Sequence, residues 1–179
     1  RELRINTGMF FSTAGTRITS QPLPCKNAVK SISCKRDITA VNIQSTRMLM
    51  AHGFLRRIFE IFDRYTTSVD MVSTSEVSVS LTVDNRDNLQ PICNELRQFA
   101  EVNTEDGQAI VCLIGENIRH TPGIAGRVFQ VLRDKNVRMI SQGASELNLG
   151  FVISEGDLKG AVTALHDEFF FDLDPVVFD

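Results

Sequence analysis

The chain has no tryptophan, one tyrosine and three histidines in 179 residues. It has no run of about 18 apolar residues, so we expect no membrane-spanning helix and no membrane partner. The net charge is -3 and no basic stripe is interleaved with aromatic residues, so nucleic acid is not an expected partner. Its four cysteines form no Cys-x-x-Cys pair, which argues against a zinc site and favours reduced thiols in the cytoplasm.

Catalytic motifs are also missing. The sequence has no Walker loop, no complete Gly-x-Gly-x-x-Gly segment and no Ser/His/Asp arrangement. Its histidines, His52, His120 and His166, are too widely spaced to suggest a set of metal ligands. We therefore expect no catalytic residue, no metal site and no cofactor in this stretch of chain.

What the sequence does contain is one internal repeat. Residues 53–83 align with residues 123–153 at a constant shift of 70, with five identities in 31 positions and a matching apolar rhythm. Each copy has the pattern of strand, helix, two strands and helix, with room for a closing strand. This is the βαββαβ order of a ferredoxin-like fold, so the sequence predicts an α+β protein with two such units.

Apolar spacing predicts where the elements of each copy lie. The first copy has strands at 38–43, 68–73 and 77–83, helices at 53–64 and 88–99, and a possible closing strand at 101–104. The second has strands at 109–113, 137–141 and 147–153, a helix opening at Thr121-Pro122-Gly123 with Thr121 as cap, and a helix at 157–169. Either residues 28–34 or the tail around Phe171 could close the second sheet. In the first case, copy one is inserted into copy two.

The two copies differ at a position that suggests a binding site, because Asp70 in the first aligns with Ile140 in the second. A carboxylate binds an ammonium group, and free backbone N–H groups at the helix start near Gly53 could bind a carboxylate. A free amino acid carries both groups. Asp70 could equally be a solvated residue of the open sheet face. The Ser75-Glu76 pair, which recurs in both copies, could be a structural turn.

Three segments resemble the regulatory region of aspartate kinases. Residues 44–55 and 68–79 look very like the first of its tandem ACT domains, and residues 137–146 resemble the matching part of the second. The resemblance implies that the first ACT domain is inserted into the second. The implied division is a linker or kinase-domain remnant at 1–27, a first ACT domain at 38–106, a second at 28–37 plus 107–170, and a tail at 171–179.

The function implied by this resemblance is feedback sensing. An end-product amino acid, lysine in the type most similar to this chain, would bind between the ACT domains of a homodimer and inhibit the chain's own kinase domain. That missing domain would use ATP and Mg²⁺. Ala51 stands where some lysine-inhibited relatives have a pocket serine, so threonine stays open as sole or co-effector. The implied effector-binding residues are Met48, Gly53, Phe54, Leu55, Val69, Asp70, Ser75 and Glu76.

We also consider two alternatives from other classes. One is a structural dimerisation module that binds no ligand. The other is an enzyme fragment that contributes active-site residues to a missing domain. In the sensor hypothesis, Asp70 holds the effector ammonium while the helix start from Gly53 to Leu55 holds the carboxylate.

Overall fold

The computed structural model describes residues 3–5, 16–18, 25–45, 52–143 and 145–175. Strands β1 and β2 pair with each other, and the other six strands form one antiparallel sheet in the order β4-β5-β3-β6-β8-β7. The strands are β1 (Leu3–Ile5), β2 (Thr16–Ile18), β3 (Val29–Gln44), β4 (Val72–Thr74), β5 (Ser78–Val83), β6 (Glu101–Gly115), β7 (Val137–Ser141) and β8 (Asn148–Ser154). The helices are α1 (Phe54–Arg64), α2 (Leu89–Leu96), α3 (Ile124–Val131) and α4 (Leu158–Phe169).

Each half of the sheet has the predicted βαββαβ arrangement. In the first half, residues 38–44 of β3 lie between β5 and residues 101–108 of β6, with β4 at the edge. In the second half, residues 109–115 of β6 lie between β8 and residues 29–35 of β3. The closing strand of the second half is therefore the early segment of β3. The predicted insertion of the first unit into the second is confirmed.

The two halves share their central strands, which the sequence predicted as four separate ones. β3 and β6 run through both halves as continuous strands of 16 and 15 residues. The middle of each strand carries polar residues, which occupy irregularities in the pairing. Asp37 and Gly107 have positive φ angles of 56° and 65°, and the β3–β6 register shifts between Lys35 and Ala40. The chain bends there without leaving the sheet.

Each half has its own hydrophobic core beneath its pair of helices. In the first half, α1 turns Ile58, Ile61 and Phe62 inward at three- and four-residue spacing, as its sequence predicts. They pack against alternating residues of β5, among them Val79 and Leu81. The second core is built in the same way from α3, α4 and the alternating residues of β6 and β8. Both cores hold their helices against the sheet by burial of apolar surface.

The repeat is preserved in three dimensions. Gly53 and Gly123, which precede α1 and α3, have nearly the same left-handed φ angles of 85° and 84°. The Arg57 guanidinium lies 3.8 Å from the ring centroid of Phe99, and that of Arg127 lies 4.6 Å from that of Phe169. Both pairs are related by the shift of 70, although the phenylalanines lie outside the aligned segments.

Three predictions about local structure need correction. The predicted strand at 68–73 is instead Val72–Thr74, although backbone hydrogen bonds from Asp70 and to Met71 extend its contact with β5. Thr121 does not cap α3, because its hydroxyl donates to the Asn117 carbonyl and Gly123 is the N-cap. The described part of the tail does not close the second sheet. Residues 171–175 contain no strand and hydrogen-bond instead to residues 26 and 27.

Candidate functional site

The predicted site residues fall at two opposite ends of the first half. At one end, β3 reaches Gln44 beside Ser78, and the turn that carries Ser75 joins β4 to β5. The helix α1 begins at the same end. The ring of its first residue, Phe54, packs edge-on against Phe99, 5.7 Å away, and Phe99 lies two residues before Glu101, which pairs with Gln44. We call this the Gly53 end. The other, where α1 finishes and β4 begins, we call the Asp70 end.

At the Gly53 end, the start of α1 has features that suit an anion. Gly53 is the N-cap and has no side chain to bond the first N–H groups, and the first turn of the helix contains no acidic residue. The partial positive charge of a helix N-terminus attracts carboxylates and phosphates. Of the next two residues, Phe54 is buried and Leu55 is 39% exposed, so only Leu55 offers an apolar side chain to a bound molecule.

Ser75 and Glu76 also lie at the Gly53 end, where Ser75 has a structural role. Its hydroxyl lies 2.7 Å from that of Ser78 and accepts a hydrogen bond from the Ser78 N–H at 3.2 Å. In the second half, the equivalent Ser145 accepts the Leu147 N–H at 3.2 Å. The recurring serine therefore stabilises the turn in both copies. Glu76 is exposed at the tip of this turn.

At the Asp70 end, one lysine bridges two carboxylates. Lys35 of β3 lies 2.7 Å from Asp70 Oδ1 and 2.7 Å from Asp84 Oδ2 through its Nζ. The hydrogen bonds to Asp70 and then Asp84 raise the pKa of Lys35. The hydrogen bond from Lys35 lowers the pKa of Asp84. No pattern in the sequence predicts this contact, because only the folded arrangement of the strands brings residue 35 to residues 70 and 84.

Within a single chain, the described residues of the predicted site do not come together. Asp70 and Ser75 bond to β5 at its two ends, through Thr82 and Ser78. Five residues of extended chain span about 16 Å, so these two positions are well separated. Gly53 and Asp70 are likewise at opposite ends of α1, whose 11 residues extend about 16 Å. Val69 is half-buried against the first core, and Met48 lies outside the described residues.

Asp70 also borders a cavity of about 280 Å³ between the two halves. One wall is Asp70, Met71 and Val72. The other is the face of the second half away from its helices, including Cys112 and Gly150. A larger hollow of about 390 Å³ lies between α1 and α2 and is lined by charged residues, but it contains none of the predicted site residues.

Among its described residues, the second half has no equivalent of the Asp70 end. Ile140, which aligns with Asp70, is a 47% exposed residue of the edge strand β7. Among the described residues, no group of three or more His, Cys, Asp and Glu side chains could hold a metal ion. None of the helices in the described ranges is long and apolar enough to cross a membrane.

Comparisons with known proteins agree with this architecture. An ACT domain family model matches residues 111–169. Aspartokinase 1, chloroplastic, of Arabidopsis thaliana is 44% identical over 167 residues, which cover 87% of this chain and 29% of that protein. The chain therefore spans under a third of that relative.

Two solved structures are also similar. Escherichia coli aspartokinase III in complex with lysine and aspartate is 36% identical with a TM-score of 0.77, over 87% of this chain and 36% of that one. A chain assigned as the C-terminal regulatory domain of aspartate kinase from Porphyromonas gingivalis W83 is 36% identical with a TM-score of 0.72, over 80% of this chain and 99% of that one. Since this match spans nearly the whole of a regulatory domain, the chain belongs to the family of ACT-domain regulatory regions of aspartate kinases.

Proposed function

We propose that this chain senses lysine as the feedback effector of an aspartate kinase, and that it does so as a homodimer with the effector bound between two copies. The observation that carries the proposal is the separation of the Gly53 end from the Asp70 end. Lysine requires a site for one carboxylate and two ammonium groups. The Gly53 end offers the start of α1 and Glu76, and the Asp70 end offers the second carboxylate, so neither end alone offers all three. Two copies related by a two-fold axis supply both ends at one place.

The edge position of β4 supports this arrangement. Among the described strands, β4 has only β5 as a ladder partner, so its other edge can pair with a second copy. Antiparallel pairing about a two-fold axis places the start of one β4 beside the end of the other. Asp70 of one copy then faces Ser75, Glu76 and the start of α1 of the second copy. The pairing creates two equivalent sites in each dimer.

The charges in this shared site match lysine better than threonine. Lysine has one carboxylate and two ammonium groups. The start of α1 can bind the carboxylate, while Asp70 and Glu76 can each accept hydrogen bonds from an ammonium. Threonine has one ammonium, so it can bind only one of the two carboxylates. Escherichia coli aspartokinase III, a similar structure, has been solved with lysine.

For the whole protein we propose the activity of its relatives. A kinase domain that uses ATP and Mg²⁺ to phosphorylate aspartate would be inhibited when lysine occupies the dimer, in the cytoplasm. The bounds proposed for the regulatory units are 38–106 for the first ACT domain and 28–37 plus 107–170 for the second. Inhibition requires that lysine bind the inactive arrangement more tightly than the active one.

The first test is isothermal titration of the chain with lysine and separately with threonine. We expect saturable lysine binding at one site per chain, abolished in Asp70→Asn and in Glu76→Gln. The repeat supplies a matched control, since Glu146→Gln changes the equivalent residue of the second half and should bind lysine normally. Binding of threonine alone would reassign the effector.

Mixing the two variants tests whether the site is shared. If Asp70 and Glu76 act in the same site from different copies, a dimer of one Asp70→Asn chain and one Glu76→Gln chain has one intact site and one doubly altered site. Equilibrated mixtures should therefore recover lysine binding that neither variant shows alone. If both residues served a site within one chain, mixing would recover nothing.

One observation favours a second candidate, a dimerisation module that binds no ligand. Asp70 already has a cation partner in Lys35, and Ser75 already serves its own turn. Concentration-dependent dimerisation in analytical ultracentrifugation, together with no heat on titration of either amino acid, would support this candidate over the sensor.

A further inference from the structure

Lys35 presents to Asp70 the same chemical group that an amino-acid effector would present. Its ammonium lies 2.7 Å from Asp70 Oδ1 and is also bound to Asp84. The Lys35 side chain is 44% exposed and that of Asp70 is 24% exposed, so solvent and a ligand can both reach the pair. Among the described residues, Lys35 is the cation that the structure pairs with Asp70.

We propose that Lys35 is an internal competitor that occupies the ammonium position at Asp70 in the ligand-free protein and thereby sets the affinity for the effector. This inference rests on the proposed function. A second ammonium at Asp70 would be repelled by the first, so an effector must displace Lys35 from this carboxylate. Breaking the Lys35–Asp70 ion pair costs little free energy, because Lys35 keeps its second partner, Asp84. The apparent affinity then equals the intrinsic affinity multiplied by the fraction of chains in which Asp70 is free.

The exchange also connects the two halves of the molecule. Lys35 belongs to the segment of β3 that closes the second half, whereas Asp70 and Asp84 flank the strands of the first half. In the ligand-free state this lysine ties the closing strand to both carboxylates. With effector bound it is tied to Asp84 alone. Occupancy of a site in the first half therefore changes an ion pair made by the second.

The test compares two methionine variants by lysine titration. Lys35→Met removes the competitor. Lys30→Met is the matched control, because Lys30 lies in the same strand, carries the same charge and also forms an ion pair, with Glu116 at 2.9 Å. Exposed ion pairs contribute about 0.2–1 kcal/mol, which is an equilibrium constant of about 1.4–5 in favour of the Lys35–Asp70 pair. Since Lys35→Met leaves Asp70 free in every chain, its affinity for lysine should rise about two- to sixfold. We expect Lys30→Met to bind lysine as the wild type does.

A second readout follows Lys35 directly. Reductive methylation with ¹³C-formaldehyde labels lysines for NMR, and the Lys35 signal should shift on addition of effector while the Lys30 signal does not. The lysine-to-methionine variants assign the two signals.

Each outcome has a distinct meaning. Tighter binding by Lys35→Met alone, with the Lys35 signal shifting, supports the inference. Unchanged or weaker binding by Lys35→Met, or an equal gain in both variants, overturns it while leaving the sensor intact. If the wild-type chain binds neither lysine nor threonine, the proposed function fails and the inference fails with it.

Discussion

Replacing Gly115 by alanine is expected to loosen the strand that closes the second half. Gly115 pairs with Val29, the first residue of β3. A Cβ atom at position 115 would lie 2.8 Å from the Ala28 carbonyl carbon and closer still to the Ala28 oxygen. These are backbone atoms, so no side chain can rotate away. The start of β3 must move instead.

The cost follows from what this movement exposes. Val29 is 1% exposed in the second core, and removing a fully buried valine from its apolar surroundings costs about 1.5–3 kcal/mol. Weakened backbone pairing adds about 0.5–1.5 kcal/mol. We expect a total loss of about 2–4.5 kcal/mol, which lowers the melting temperature by about 4–18 °C for a protein of this size.

Urea unfolding followed by far-UV circular dichroism measures this loss, with Gly126→Ala as control. Gly126 lies within α3 and an added Cβ would meet nothing within 4 Å. Alanine there should stabilise the helix by about 0.5–1 kcal/mol. The two glycine-to-alanine changes therefore have opposite signs. A Gly115→Ala variant within about 0.5 kcal/mol of the wild type, the usual range for harmless surface changes, would refute the close approach of residues 28 and 115.

Three further predictions concern the helix starts of both halves, the first core and the junction between the halves. In Gly53→Ala and Gly123→Ala, the added Cβ meets open space but the residue must keep a left-handed φ. Each variant should therefore lose about 1 kcal/mol of the free energy of unfolding, measured in urea. Clearly unequal losses would contradict the equivalence of the two helix starts. Phe62→Ala should lose about 3–5 kcal/mol by thermal unfolding, since its ring is 2% exposed in the first core; a loss below about 1 kcal/mol would contradict that packing. Lys35→Met should lower the melting temperature at neutral pH, and this difference from the wild type should vanish on acidification. The lowered pKa of Asp84 means that its pair with Lys35 stabilises the fold above the usual value of 3.8 and is lost as the pH falls through the lowered one. A deficit unchanged well below pH 3.8 would show that this pair is not its source.

Much of the fold could be predicted from the sequence because its signals are local. The three- and four-residue spacing of Ile58, Ile61 and Phe62 fixes the buried face of α1, and the alternation in β5 fixes which of its residues face the core. The repeat also predicted that Gly53 and Gly123 hold equivalent positions. Their φ angles differ by only one degree, at 85° and 84°. These features depend on neighbours within a few residues along the chain.

The remaining features depend on partners distant in sequence. Whether β3 breaks or continues at Asp37 is decided by β6, which bulges at Gly107 and follows the same bend. The residues proposed to bind the effector could be named individually, but their placement at opposite ends of β4 follows from strand direction. The partnership of Lys35 with Asp70 spans 35 positions and has no periodic signal. The residues proposed for the site could therefore be named from the sequence, but their positions relative to one another could not.

The insertion of one unit into the other also determines the order in which the molecule can fold. Cys34 pairs with Val111, 77 positions later, so the second half cannot close until the whole first half has been made. Pairing over such a distance is slow in an open chain, because the loop entropy is lost before the contact is gained. A folded first half removes this obstacle, since it already holds Ile38 beside Gln108 and leaves only short segments to join. The first half therefore acts as a template, and refolding should show its core forming before that of the second half.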